Sequence, residues 1–262
     1  MNALRFPFRV TAVLAWILAG VMWATTLSVR ERLLRQTVRR DTAARSWLKG
    51  LLRVLDVRVH ALGRLPEVES ALIVANHISW LDIPVLGASR PLHFLSKIEV
   101  RQWPVIGWLA ARAGTLFIRR GGGQVQAIRQ AIQRQLSRGR TVVIFPEGTT
   151  TRGDDVRRFH PRLFQAAVDA GQPVIPVTLH YRREGVIDSL APFVGEDDFF
   201  THLMRLLLAP ATDVYVSWGE PLRSDSAAGL ADQAHAFCRS TLQQLNWLPT
   251  DGGLESVADR FA

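Results

Sequence analysis

Apolar residues in this chain come first as one long block, then as short runs separated by helical patterns. The block, residues 10–29, is twenty residues without a charge (VTAVLAWILAGVMWATTLSV). As a helix rising ~1.5 Å per residue it reaches about 30 Å, the thickness of a bilayer's hydrocarbon core. It is long for a secretory signal, and no clear small-x-small cleavage site follows it. The pattern therefore predicts a membrane-anchoring helix. The next stretch, 30–49, sets Arg30, Arg32, Arg35, Arg39, Arg40, Arg45 and Lys49 against only Glu31 and Asp41. Leu33, Leu34, Val38, Trp47 and Leu48 recur at uneven helical spacing within it. That reads as a basic amphipathic helix on anionic headgroups, with a solvated helix face as the alternative. Positive charge is heavier here than at Arg5 and Arg9, which places the main domain on the cytoplasmic side of the inner membrane.

Past residue 50 the period changes. Strand-length apolar runs at 57–61, 72–75, 92–95, 115–118, 141–145, 174–179 and 214–217 alternate with helical patterns. In 124–138, Val125, Ile128, Ile132 and Leu136 mark one helix face, and Gly139 follows as a stop. A helix over 164–170 has Pro161 near its first turn and Gly171 just past its end. A closing helix over 224–245 is capped by Ser224 or Asp225. Strands alternating with helices predict an α/β domain over 51–250, with a mostly parallel central sheet flanked by helices. The anchor and basic helix occupy 1–50, and 251–262 reads as a weakly ordered tail. Pro176 inside 174–179 places that strand at or near an edge, where it would wall an apolar groove.

Composition sharpens the partner. The formal net charge is +9, carried almost entirely by arginine. Such an excess calls for a negatively charged partner, either nucleic acid or an anionic membrane surface. No aromatic-interleaved nucleic-acid motif accompanies it, so membrane lipids are the expected partner. The single cysteine, Cys238, excludes an intrachain disulfide framework and a Cys-rich zinc site; its helical surroundings suit a half-buried structural thiol.

Three segments carry candidate chemistry. Asn76-His77-Ile78-Ser79-Trp80-Leu81-Asp82 follows a buried-strand pattern and sets an imidazole five residues before a carboxylate. Five residues turn roughly 140° around a straight helix, so the two meet only with His77 in the turn and Asp82 on the following first turn. A His oriented by a carboxylate makes a general base. Spacing alone equally suits a surface His and a capping Asp. Gly114-Thr115-Leu116-Phe117-Ile118-Arg119 ends a strand at an arginine beside glycines. That is a place to hold a phosphate or carboxylate, or simply a basic loop. Phe145-Pro146-Glu147-Gly148-Thr149-Thr150-Thr151-Arg152 leaves a strand at a proline. It presents a carboxylate, a glycine that lets backbone approach a ligand, three hydroxyls and an arginine. A Glu-capped loop is the plain alternative.

In this order, and with the apolar-Pro run at 174–179 as a fourth block, these segments resemble the glycerolipid acyltransferase superfamily. In particular they resemble the PlsC-like 1-acylglycerol-3-phosphate acyltransferases. The resemblance spans roughly residues 55–220. It implies transfer of a fatty acyl group from an acyl-carrier-protein or CoA thioester to the free hydroxyl of a lysolipid. His77 would be the base and Asp82 its partner. Arg119, Glu147 and Gly148 would bind the acceptor's glycerol-phosphate part, with Asn76, Ser79, Thr149 and Arg152 in the same site. The acceptor expected from the likeness is 1-acyl-sn-glycerol-3-phosphate. Thr150, however, stands where members acting on lysophosphatidic acid often have Arg, and lyso-ornithine lipid is the alternative acceptor. No metal or cofactor is implied, because a thioester is already activated. A Gly-x-Ser-x-Gly nucleophile elbow is absent. The competing classes are a metal-dependent hydrolase using His77 and Asp82, and a non-catalytic basic membrane binder.

Overall fold

A computed structural model describes residues 2–35, 40–118 and 124–247. Its helices are α1 (Asn2–Leu34), α2 (Arg40–Val54), α3 (Asp82–Ser89), α4 (Ile98–Arg101), α5 (Ile106–Arg112), α6 (Val125–Leu136), α7 (Gln165–Ala170), α8 (Phe199–Leu208) and α9 (Ala227–Asn246). Its strands are β1 (Val57–Leu62), β2 (Leu72–Ala75), β3 (His93–Lys97), β4 (Leu116–Ile118), β5 (Val142–Ile144), β6 (Val174–Arg183), β7 (Val186–Ile187) and β8 (Thr212–Trp218). Every run expected to be a strand forms one. The tail over 251–262 lies outside the described residues, as do Val38 and Arg39.

The sheet runs β1-β8-β6-β2-β5-β3-β4, with β7 paired to the end of β6. Pairing is parallel except where β6 meets β8 and β7. β2 lies in the middle and is buried on both faces, which is why its sequence is a continuous apolar run rather than an alternating one. Ile73 and Ala75 join a core with Val85 and Leu86 of α3 and Leu203 and Leu206 of α8. Leu72 and Val74 face the opposite layer, with Ile132 of α6, Ala167 of α7 and Leu242 of α9. Cys238 belongs to that second layer and is wholly buried rather than half-buried; burial pushes its thiol up to about 12.

Three local expectations are corrected. The run at 174–179 is not an edge strand: it opens β6, between β2 and β8. Pro176 is accommodated because the ladder to β8 slips beside it. Val177 pairs with Trp218, whereas Val174 bridges to Leu222, one residue out of step. Gly219 N–H donates to the Pro176 carbonyl at 2.9 Å, so the proline's missing N–H lies on this bulged side and no regular ladder bond is lost. The basic stretch 30–49 is not one helix. α1 ends at Leu34, Arg35 takes φ +51°, and α2 begins at Arg40. The cap of α9 is Ser226, whose hydroxyl accepts from Gly229 N–H at 3.1 Å, rather than Ser224 or Asp225.

α1 is long and apolar enough to cross a membrane, yet one face is seated on α2, α5 and α8. A reciprocal Trp–Gly clasp joins it to α2. Trp16 lies over Gly50 and Trp47 over Gly20, so closely that a Cβ at either glycine would collide with the indole. Each indole N–H donates to the other tryptophan's carbonyl at 3.1 Å. Arg9 closes the other end, donating to the carbonyls of Leu207, Ala209 and Leu55. The opposite face exposes Phe8, Leu14, Leu18, Met22 and Leu33.

Candidate active site

Two parallel neighbours, β2 and β5, are in register at Val74 and Ile144. Three residues beyond that pair, each chain has left the sheet at its carboxyl edge, and those residues are His77 and Glu147. Register alone brings together two segments that lie seventy positions apart in sequence. β6 continues well past the end of β2. Asn76 fills the gap this leaves: its amide donates to the Leu179 carbonyl at 2.9 Å and accepts from Leu179 N–H at 2.7 Å. Asn76 is therefore a buried clamp between strands.

The loop turns after His77 and starts α3 at Asp82. Asp82 is wholly buried, and its oxygens are saturated. Oδ2 takes the His77 Nδ1 contact at 2.7 Å and accepts the N–H groups of Ile78 and Ser79 at 2.8 and 3.0 Å. Oδ1 accepts the Tyr181 hydroxyl at 2.5 Å. A carboxylate opposite Nδ1 fixes the tautomer with its proton there and leaves Nε2 as the free basic nitrogen. The imidazole stacks on Phe145, centroids 3.9 Å apart, and lines a cavity of about 1120 Å³.

Glu147 secures the loop from the other side. Its Oε1 accepts His77 N–H at 2.7 Å and its Oε2 accepts Arg157 N–H at 2.9 Å. Burial pushes this carboxyl up to about 7, against the opposing pull of those two donors. Thr151 N–H donates to the His77 carbonyl at 2.8 Å, so both backbone groups of His77 are held by the 147–151 loop. Gly148 takes φ +73° with open space where a Cβ would sit, and with Thr149 it faces the cavity. The Thr150 hydroxyl donates to the Phe193 carbonyl, and both residues line the cavity. Arg152 is exposed and is not part of the cavity lining, and Ser79 is buried behind the His77 loop. Arg119 lies outside the described residues.

From His77 the cavity runs between the sheet and the helices, walled by Leu48, Trp80, Trp103 and, from α1, Ile17 and Trp23. Trp80 is fixed by its indole N–H, which donates to His202 Nδ1 at 3.0 Å. The volume exceeds the ~300–1,000 Å³ usual for small-ligand pockets, and its walls are chiefly apolar, as a long hydrocarbon chain requires. Among the described residues no group of three or more His, Cys, Asp or Glu side chains is placed to hold a metal ion.

A family model described as "Acyltransferase" matches residues 56–180. A lyso-ornithine lipid O-acyltransferase of Pseudomonas aeruginosa is 47% identical over 92% of this chain and 95% of its own length. The chain belongs to the acyltransferase family. A 1-acyl-sn-glycerol-3-phosphate acyltransferase of Neisseria gonorrhoeae is 39% identical over 74% of this chain and 78% of its own length. The fold matches the crystal structure of the 1-acyl-sn-glycerophosphate acyltransferase PlsC from Thermotoga maritima, with a TM-score of 0.69 and 22% identity. That superposition covers 95% of this chain and 99% of the other. The protein is an acyltransferase, and the PlsC-like resemblance of its sequence blocks is the family relationship found.

Sequence reasoning missed several residues of this candidate site. Tyr181 and Trp80's partner His202 lie more than ninety positions from the residues they touch, and no local spacing signals them. Thr151 belonged to a hydroxyl run read as ligand donors, but it binds the His77 backbone.

Proposed function

We propose that this acyltransferase moves a fatty acyl group from a phosphopantetheine thioester to the free hydroxyl of lyso-ornithine lipid at a membrane surface. The observation that carries the chemistry is the 2.7 Å His77–Asp82 contact, which leaves Nε2 on the cavity side. The acceptor hydroxyl gives its proton to Nε2 as its oxygen attacks the thioester carbonyl. The tetrahedral intermediate then expels the thiolate, which takes the proton back from the imidazolium. Such base assistance contributes about 10²–10⁴-fold. The apolar cavity receives the acyl chain.

Two features support lyso-ornithine lipid. The relative matching nearly the whole chain at 47% carries that name. Beside the Glu-Gly-Thr turn, the Thr150 hydroxyl donates to the Phe193 carbonyl and exposed Arg152 is not among the residues lining the cavity, an arrangement that favours an acceptor without a phosphate monoester. The second reading, 1-acyl-sn-glycerol-3-phosphate, is favoured by the 39% identical relatives. Exposed Arg152, Arg157, Arg158 and Arg162 offer a positive rim to an acidic donor, acyl carrier protein or CoA. For location, the apolar outer face of α1 suits burial in one leaflet of the inner membrane, with the catalytic domain on the cytoplasmic side. The clasp to α2 favours lying in the membrane over a free-standing span.

The test is purified protein with lyso-ornithine lipid, lysophosphatidic acid and other lysophospholipids, each with acyl-carrier-protein and CoA donors. Lyso-ornithine lipid should give the highest kcat/KM, and His77→Ala should abolish transfer with vesicle binding intact. Near-normal turnover by His77→Ala would end the dyad reading, and preference for lysophosphatidic acid would select the second acceptor.

A further inference from the structure

Asp82 holds its imidazole from a position where no water can reach it, and three of its four hydrogen-bond donors come from its own loop. The fourth comes from across the sheet. Tyr181 stands on β6, ninety-nine residues away, and places its hydroxyl 2.5 Å from Oδ1. Tyr181 is 2% exposed and packs in the same core layer as Leu179 and Val85. The placement is built by the strand period. Asn76 locks Leu179 to the end of β2, and the next β6 residue on that face is Tyr181. The residue lies one position beyond the stretch that the family model matches.

We propose that Tyr181 is a positioning residue of the acyl-transfer reaction, which tunes the base by sharing the Asp82 charge from the side opposite His77. The proposal rests on the dyad reading above and extends it to a three-member hydrogen-bonded chain, Tyr181–Asp82–His77.

The physical reason is charge sharing. A carboxylate that accepts a hydroxyl hydrogen bond on one oxygen presents less negative potential at the other. Because Asp82 is wholly buried, the donor's strength then sets how firmly the imidazolium is held. Too firm a hold would keep His77 protonated and useless as a base, and too weak a hold would make it a poor proton acceptor. Tyr181 stays an O–H donor throughout, since burial and the adjacent Asp82 push its phenol well above the ordinary value. The other ionisable groups facing this set are Glu147 across the loop and Asp188 beyond the tyrosine. Neither of them is within the hydrogen bonds of Asp82.

The chain has only two tyrosines, Tyr181 and Tyr215, which makes a graded test possible. Tyr215 stacks on His60 and pairs in register with His180, on the face of the sheet opposite Tyr181, so Tyr215→Phe supplies a background with one tyrosine. In that background, Tyr181→Phe should lower kcat about tenfold, leave both KM values within twofold, and move the acid limb of the pH–rate profile about one unit upward. Biosynthetic 3-fluorotyrosine, a stronger donor of nearly the same size, should move the limb downward. Opposite displacements cannot come from a merely structural side chain. If Tyr181→Phe does not fold, the fluorotyrosine protein alone decides. An unmoved acid limb, or displacement in one direction by both changes, overturns the proposal. Substantial activity in His77→Ala would overturn the dyad instead, so the two failures are told apart.

Discussion

Replacing Asp82 by asparagine should remove one charge and leave the rest of the dyad in place. The Oδ2 position receives two backbone N–H groups, from Ile78 and Ser79, at 2.8 and 3.0 Å. Backbone donors cannot turn round, so the new amide must set its oxygen there and its NH2 toward Tyr181. The tyrosine hydroxyl can rotate and accept instead of donating. His77 Nδ1–H still finds an oxygen at its old 2.7 Å partner position, and the tautomer survives. The variant therefore isolates the electrostatic contribution. Opposite charges 4 Å apart attract by about 4 kcal/mol at the effective dielectric constant of ~20 that describes protein sites. Fully expressed in the transition state, that corresponds to roughly 10³-fold in rate. We expect Asp82→Asn to lower kcat by about 10²–10³-fold with both KM values nearly unchanged. The acid limb of the profile should move to lower pH, because the imidazolium has lost its counter-charge. Thiol release from an acyl-CoA or acyl-carrier-protein donor, followed across pH with circular dichroism as the folding control, measures both. A folded variant turning over within threefold of the parent would refute the reasoning. So would a large loss with the acid limb in place.

Glu147 and the helix clasp offer two stability tests. Because the Glu147 carboxyl is raised to about 7 in the fold, its contribution to stability is fully present below the unfolded value near 4.5 and is lost as pH rises through 7. Stability relative to Glu147→Gln should therefore fall by about 3 kcal/mol between pH 4.5 and 8, as read by paired urea titrations. A flat difference would show that the carboxyl is not perturbed. Gly50→Ala places a methyl 1.9 Å from the Trp16 ring and should cost about 1–3 kcal/mol, with loss of the ordered near-ultraviolet indole signal. An unchanged melting temperature would mean that α1 does not hold this seat.

The alternation of short apolar runs with helical patterns was enough to place all the major strands, helped most at β2, β5 and β6, whose burial on both faces demands continuous apolar runs. The dyad was half legible. His77 and Asp82 were visible as a pair, and the requirement that Asp82 open the next helix followed from helix geometry. Pro176 misled for a physical reason: a proline bars a regular central strand, but a one-residue slip in a partner strand removes the bar. Nothing local announces such a slip. The basic stretch at 30–49 carried the right charge but hid the break after Leu34, where Arg35 takes a backbone conformation that composition does not encode.

Glu147 shows the other limit. Its sequence context suggested a ligand contact at a loop rim, yet both carboxylate oxygens are used by backbone N–H groups from two separate loops. Asn76 was read with the acceptor and instead clamps two strands.

What the sequence by itself determined is the chemistry available: a histidine and a carboxylate set to meet in a turn, an apolar leading helix, and the ordered blocks of an acyltransferase. Only the tertiary structure decided how that chemistry is held. The register of β2 with β5 brings Glu147 under His77, and the overhang of β6 past β2 brings Tyr181 to Asp82. Strand register is set by burial across the whole sheet, so no window of sequence around His77 contains it.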